Sequence, residues 1–151
     1  MKIRKYKKED EEKVKKLIYS VLCDMYGSTK IKWEDFSKYI IFYVAEKDKE
    51  TIGCVALKDI GNKWIKLKRM YVKTQMQRKG IGSILLNKCS DFGKEKGFKK
   101  IVLTTYPEMK KAVNFYKKHG FEIVKNPSDK FFTNPNLRKY NKKQIVMERK
   151  L

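Results

Sequence analysis

The chain has 151 residues, 41% of them hydrophobic, and a formal net charge of +21; that suffices for one domain with a real core and is short for two. No run of about 18 apolar residues occurs, so a membrane-spanning helix is not expected, and the start MKIRKYKKEDEEK lacks the apolar stretch of a secretory signal. Cys23, Cys54 and Cys89 stand far apart in apolar patterns, and an odd number without a Cys-x-x-Cys pair argues against a disulfide framework or a zinc site.

These cysteines read as reduced core thiols of a cytoplasmic protein. The charge predicts a positive field that attracts phosphates. Yet lysines run from Lys2 to Lys150 without forming one block, as in a lysine-biased surface, so charge alone does not make this a nucleic-acid-binding protein.

Met1 to Tyr6 reads as a first strand, and Asp10 as the N-cap of a helix. Val14, Leu17, Ile18, Val21, Leu22 and Met25 then follow the i, i+3, i+4, i+7 spacing of an amphipathic helix, ended by Gly27-Ser28. A second, shorter helix is expected within Ile31 to Ser37, carrying Trp33 and Phe36. Tyr39 to Glu46 and Thr51 to Lys58 read as strands turned at Asp48-Lys49-Glu50, and Gly61-Asn62 turns the chain again.

The next run, WIKLKRMYV, alternates at Ile65 and Leu67 but resumes one step out of phase at Met70 and Val72. Strand side chains alternate with period two, so the slip marks either a β-bulge or a strand buried on both faces. It leads into Gln77-Arg78-Lys79-Gly80-Ile81-Gly82, where a helical pattern begins. The first amides of a helix have no intrahelical acceptor and carry the positive end of its dipole. With Arg78 and Lys79 beside them, they form an anion site suited to the pyrophosphate of a cofactor.

Ile81, Ile84, Leu85, Cys89 and Phe92 make an apolar stripe closed by Gly97, and Lys100 to Thr105 is a strand reached by a helical crossover. Pro107 can open another helix, with Met109, Ala112, Val113 and Tyr116 on one face. Gly120 ends it, Phe121 to Lys125 and Gln144 to Arg149 are strands, and Asn126 to Lys143 is a long polar connection containing Phe131 and Phe132.

LKRMYV, then Gln77-x-x-Gly80-x-Gly82 opening a helix, then Ala112-x-x-Phe115-Tyr116-x-x-x-Gly120-Phe121 resembles the GNAT (GCN5-related N-acetyltransferase) family over nearly the whole chain. No Gly-Lys-Ser/Thr follows the turn, so it is not a P-loop, and a glycine turn after the fourth strand disfavours a Rossmann unit. The resemblance implies an α/β fold. It would be one domain over residues 1–151, a mixed sheet of about seven strands with about four helices, its central strands splayed at a β-bulge.

It also implies acetyl-CoA as cosubstrate and no metal. The pyrophosphate would rest on Gln77, Arg78, Lys79, Gly80, Ile81, Gly82 and Ser83, and the pantetheine arm along Met70, Tyr71 and Val72. An amide freed by the bulge, at Met70 or Tyr71, would face the developing oxyanion; one such donor typically supplies about 2.7–4 kcal/mol. Tyr116 matches the family tyrosine that protonates the leaving thiolate. A core tyrosine would show the same pattern.

The acceptor amine must lose a proton, and at a pKa of about 10.4 only about one in 2,500 is neutral at pH 7, a deficit of roughly 4.6 kcal/mol. Relatives often carry glutamate where this chain has Lys66, so the base is unassigned, with Glu46 acting through water as one option. Met109 stands where relatives often place an asparagine that contacts the cofactor. His119, in the last turn of its helix, suits the dipole there better than a catalytic role.

The expected acceptor is a small-molecule or peptide amine, in a pocket lined by residues 24–37 and 126–143, with Trp33, Phe36, Phe131 and Phe132 as candidates that may equally be core. The protein is expected to be a cytoplasmic monomer or homodimer without membrane partners. The rival readings are a basic nucleic-acid-binding module and a cofactor-binding GNAT-like protein without catalysis.

Overall fold

The structure is a computed structural model that describes residues 1–127 and 144–151. Phe131, Phe132 and the greater part of the Asn126 to Lys143 connection lie outside the described residues. Strands β1 (Lys2–Lys5), β2 (Ile41–Lys47), β3 (Glu50–Asp59), β4 (Trp64–Val72), β5 (Lys100–Thr105), β6 (Glu122–Ile123) and β7 (Ile145–Lys150) form one sheet, ordered β1-β2-β3-β4-β5-β7-β6. Helices α1 (Glu11–Tyr26), α2 (Ile81–Glu95) and α3 (Lys110–Lys118) accompany it. Two compact units are distinguishable, Met1–Lys58 with Leu67–Asp91 and Asp59–Lys66 with Phe92–Leu151.

The first unit is built on an antiparallel meander. β1 pairs β2, with Lys2 opposite Glu46, and β2 pairs β3 across a two-residue connection. Asp48 (φ 51°) and Lys49 (φ 65°) are both left-handed, the geometry of a type I′ turn, whose twist matches that of the strands. Val14, Leu17, Ile18 and Val21 of α1 bury against Val44, Cys54 and Ala56, as the helical spacing predicts. Met25, in the last turn, is exposed.

Asp10 precedes α1, but its side chain does not cap the helix. Arg4 donates to both of its carboxylate oxygens at 2.8 Å, and the Lys7 N–H donates at 2.7 Å. A charged, bidentate partner is a stronger claim on a carboxylate than helix amides.

The structure has three α-helices among its described residues, not four. The stretch expected to be a helix at Ile31 to Ser37 is irregular as far as Asp35, followed by a single 3-10 turn at Phe36–Lys38. Asp35 Oδ1 accepts the Ser37 N–H at 2.9 Å, which favours a tight turn, and so short a segment cannot offset the cost of helix nucleation. Its aromatic residues are held by packing. Phe36 is buried and meets Phe42 edge-on with centroids 5.2 Å apart, and Trp33 meets Phe36 the same way at 6.1 Å.

In the second unit, the start of β4 runs parallel to β5, pairing Trp64, Ile65 and Lys66 with Lys100, Ile101 and Val102. β7 pairs antiparallel with β5 and with the two-residue β6. The chain leaves α2 through a Schellman closure: Phe98 N–H donates to Gly93 C=O at 2.9 Å, Gly97 N–H donates to Lys94 C=O at 3.2 Å, and Gly97 is left-handed. A Cβ on Gly93 would fall 2.5 Å from Leu151 Cδ1, so a larger residue there would require the Leu151 side chain to shift.

The apolar stripe of α2 differs from expectation at one place: Leu86 is buried and Ile84 is 42% exposed. α3 begins at Lys110, later than Pro107, because Pro107 and Glu108 form a turn closed by Met109 N–H donating to Tyr106 C=O at 3.0 Å.

Candidate active site

The phase slip in β4 has a structural cause. Arg69, inside the strand, is left-handed with φ 54°, a conformation that disrupts the ladder locally as bulges do. Its carbonyl accepts a hydrogen bond from the Cys54 thiol of β3 at 3.1 Å. The Tyr71 N–H also approaches the Cys54 sulfur, and burial pushes this thiol up to about 12, so it stays protonated as a donor. Just past β4, Lys73 N–H donates to Ile52 C=O at 2.8 Å. Of the two amides considered for an oxyanion, Tyr71 therefore faces the sulfur.

Beyond β4 a 3-10 turn, Thr74–Met76, leads to the glycine connection. Thr74 Oγ1 donates to Asp24 Oδ2 at 2.6 Å and Gln77 Nε2 to the Val72 carbonyl at 3.0 Å, which tie this connection to the end of α1 and to β4. Arg78 (φ 63°) and Gly80 (φ 83°) are left-handed. The first bond of α2 runs from Ile84 N–H to Gly80 C=O at 3.1 Å, so the Ile81 and Gly82 amides precede the intrahelical ladder. Arg78, Lys79 and Gly80 are exposed, and a Cβ on Gly80 would meet open space. Left-handed backbone, unladdered amides and two cations give this turn the chemistry of an anion cradle.

Beside β4 lies a charge cluster that the sequence pattern did not reveal. Glu34 forms ion pairs with Lys68 and, at 3.6 Å, with Lys58, and accepts the Tyr39 hydroxyl at 2.9 Å. Burial alone would raise the Glu34 carboxyl, but hydrogen bonds from Lys68 and Tyr39 hold it down at about 2. Burial pushes the Lys68 ammonium down, opposed by Glu34, and pushes the Tyr39 phenol up to about 12. Arg69 Nε donates to Tyr39 Oη at 3.1 Å, and its guanidinium carbon lies 5.5 Å from the Trp33 ring centroid. Trp33 and Phe36 thus belong to the aromatic core of this unit, with Trp33 also bracing Arg69. Only the charge-bearing residue types were visible in the sequence, since Glu34 and Lys68 are brought together by the fold.

Glu46 accepts from Arg4 Nη2 at 2.9 Å, so its carboxylate is engaged in an ion pair. Lys66 is 4% exposed, so the position where relatives often carry glutamate holds a buried side chain. In the second unit, Tyr116 is half-buried on α3, with its ring 5.3 Å from Phe115 and 5.5 Å from Phe121. Phe121 N–H donates to the Tyr116 carbonyl at 3.0 Å. His119 Nδ1–H donates to the Phe115 carbonyl at 2.8 Å, a helix-end contact as expected. No group of three or more His, Cys, Asp or Glu among the described residues is placed to hold a metal ion, and no helix among them is long and apolar enough to cross a membrane.

The chain is similar to a probable N-acetyltransferase 14 of Xenopus tropicalis, with 34% identity over 120 residues that cover 72% of this chain and 58% of that protein. It is also similar to a spermidine N(1)-acetyltransferase of Thermoplasma acidophilum, 34% identical over 84 residues, 56% of this chain and 52% of that one. The chain thus spans a little over half the length of these curated relatives. Among solved structures, the PaiA N-acetyltransferase of Thermoplasma acidophilum in complex with coenzyme A superposes with a TM-score of 0.77 at 23% identity, covering 99% of this chain and 98% of that one. The model of the acetyltransferase (GNAT) family matches residues 9–121, and with the bulged β4 followed by the glycine turn, this chain belongs to that family.

Proposed function

We propose that the protein is an N-acetyltransferase, moving the acetyl group of acetyl-CoA to an amine by direct attack. The observation that carries this reading is the sequence of two devices in one stretch: the left-handed Arg69 in β4, then the left-handed Arg78 and Gly80 opening α2, in a chain of the GNAT family. Acetyl-CoA supplies the activated thioester. Gln77, Arg78, Lys79, Gly80, Ile81, Gly82 and Ser83 hold its pyrophosphate through backbone amides and two cations. Met70, Tyr71 and Val72 seat the pantetheine arm.

With the Tyr71 amide turned to the Cys54 sulfur, Met70 N–H is the donor we assign to the thioester oxygen as its charge grows. Tyr116 is assigned the protonation of the departing thiolate. Its hydroxyl suits that task, because a thiolate of pKa about 8.5 leaves better when a phenol is at hand to donate. The acceptor enters as a neutral amine, and residues 24–37 line its approach. We place the enzyme in the cytoplasm, where acetyl-CoA is available and Cys23, Cys54 and Cys89 remain free thiols, as they are in the structure.

Thermal melting with and without millimolar acetyl-CoA, followed by release of free thiol over an amine panel, tests the reading. The expected result is a higher melting temperature with cofactor and thiol release dependent on one class of amine. No shift in melting temperature would remove the cofactor claim, and a shift without turnover on any amine would leave a binding protein.

A further inference from the structure

The charge cluster beside β4 is unbalanced. Lys58, Lys68 and Arg69 gather around a single carboxylate, Glu34, which is already paired with both lysines. Arg69 has no carboxylate within ion-pairing distance among the described residues. It is half-buried with only the more distant Glu34 charge to offset its own, and a guanidinium withdrawn from water without a close counter-charge is costly.

Its setting is nevertheless built with care. Nε–H is engaged by the Tyr39 hydroxyl, Trp33 lies against the guanidinium, and the half-buried Tyr71 phenol hydrogen-bonds it. The Tyr39 hydroxyl is itself fixed by Glu34. With five N–H donors, a guanidinium engaged by the Tyr39 and Tyr71 hydroxyls keeps further Nη N–H groups, whose parallel bonds match the two oxygens of a planar anion. The backbone at Arg69 is left-handed, a strained state for a long side chain that persists at functional sites when the surroundings enforce it. Arg69 also immediately precedes Met70, the residue assigned to the reacting thioester oxygen.

We infer that Arg69, braced by Tyr39 and Trp33, binds a carboxylate of the acceptor, so that the substrate is an amine that also bears a carboxylate, as in an amino acid or a peptide. Glu34 sets the position of Tyr39 and Lys68 and reaches Arg69 only through Tyr39 and at longer range. This assignment rests on the acetyltransferase reading for its place in a reaction, but the anion site can be tested without turnover.

The test uses matched pairs: free amino acids and dipeptides against their carboxamides, with spermidine and O-phosphoethanolamine as a polycation and a phosphate-bearing amine. For the wild-type protein, kcat/KM should favour each carboxylate over its amide by about tenfold or more, as expected for loss of a bidentate charged contact. In Arg69→Gln the preference should vanish mainly through KM, while the acetyl-CoA melting shift is retained. Arg69→Lys, which keeps charge without the fork, should keep a part of it.

Binding of N-acetyl amino acids and their amides, measured by calorimetry on wild-type and R69Q protein, reads the site directly. Discrimination there without any acetyl transfer would support the carboxylate site and sink the acetyltransferase reading. Equal binding and turnover of carboxylate and amide would overturn the inference, as would a preference that survives in R69Q or a higher kcat/KM for spermidine or the phosphate ester. If R69Q fails to melt cooperatively, the wild-type pairs and R69K decide by the same criteria.

Discussion

The Cys54 thiol of β3 donates to the Arg69 carbonyl of β4 at 3.1 Å, so a buried side chain hydrogen-bonds the backbone at the left-handed residue of the strand. A buried carbonyl left without such a partner would cost about 1–3 kcal/mol. Cys54→Ala should lower the unfolding free energy by about that amount in urea titrations, and Cys54→Ser, which keeps a donor, by less.

Thiol chemistry follows the same burial. Burial pushes Cys54 and Cys89 up to about 12, whereas Cys23 is partly exposed. At pH 8, iodoacetamide should modify Cys23 first, and Cys54 and Cys89 only after denaturation, because the thiolate is the reacting form. Peptide mapping of the labelled protein distinguishes the three sites.

Glu34 gives an acid-side dependence. Its carboxyl is held at about 2 in the fold, below the ordinary 4.5. A depressed folded value means that the unfolded chain takes up the proton first. Its contribution is therefore present above about pH 4.5 and disappears as pH falls toward 2. With solvent screening it amounts to about 1–2 kcal/mol. The stability difference between wild-type and Glu34→Gln protein should shrink over that window in denaturant curves at successive pH values.

At the glycine turn, Gly82→Glu places a carboxylate in the first turn of α2, where the cofactor pyrophosphate is proposed to bind. Acetyl-CoA affinity measured by calorimetry should fall by 100-fold or more, on the order of 3 kcal/mol. The melting temperature of the cofactor-free protein should change little, since an acidic residue suits a helix N-terminus. Gly80→Ala, by contrast, should cost about 1–2 kcal/mol of stability by forcing an alanine to adopt φ 83°.

Tyr116→Phe separates the chemical role from packing. The ring contacts with Phe115 and Phe121 are kept, so stability should hold within about 0.5 kcal/mol. Loss of an acid should lower kcat by about 100-fold, with the acetyl-CoA melting shift unchanged. An unaltered kcat would assign Tyr116 to the core alone.

What the sequence determined by itself was local. The spacing of Val14, Leu17, Ile18 and Val21 gives an α-helical face, and Gly80 and Gly97 mark a helix start and stop, because these signals depend on neighbours a turn away. The phase slip at Leu67 to Met70 marked an irregular place in β4 and left open a strand buried on both faces; it did not point to Arg69 as the residue that turns left-handed. Tertiary structure decided what depends on partners distant in the chain. Asp10, suited by type to cap α1, is claimed by Arg4, which also holds Glu46. Trp33 and Phe36, suited to a helix face, are set by aromatic neighbours from β2. Glu34, Tyr39 and Arg69 become one hydrogen-bonded chain only when the segment before β2 lies against β4. Backbone propensity is short-ranged, whereas a charge takes the strongest counter-charge the fold brings near it, and that choice is made only on folding.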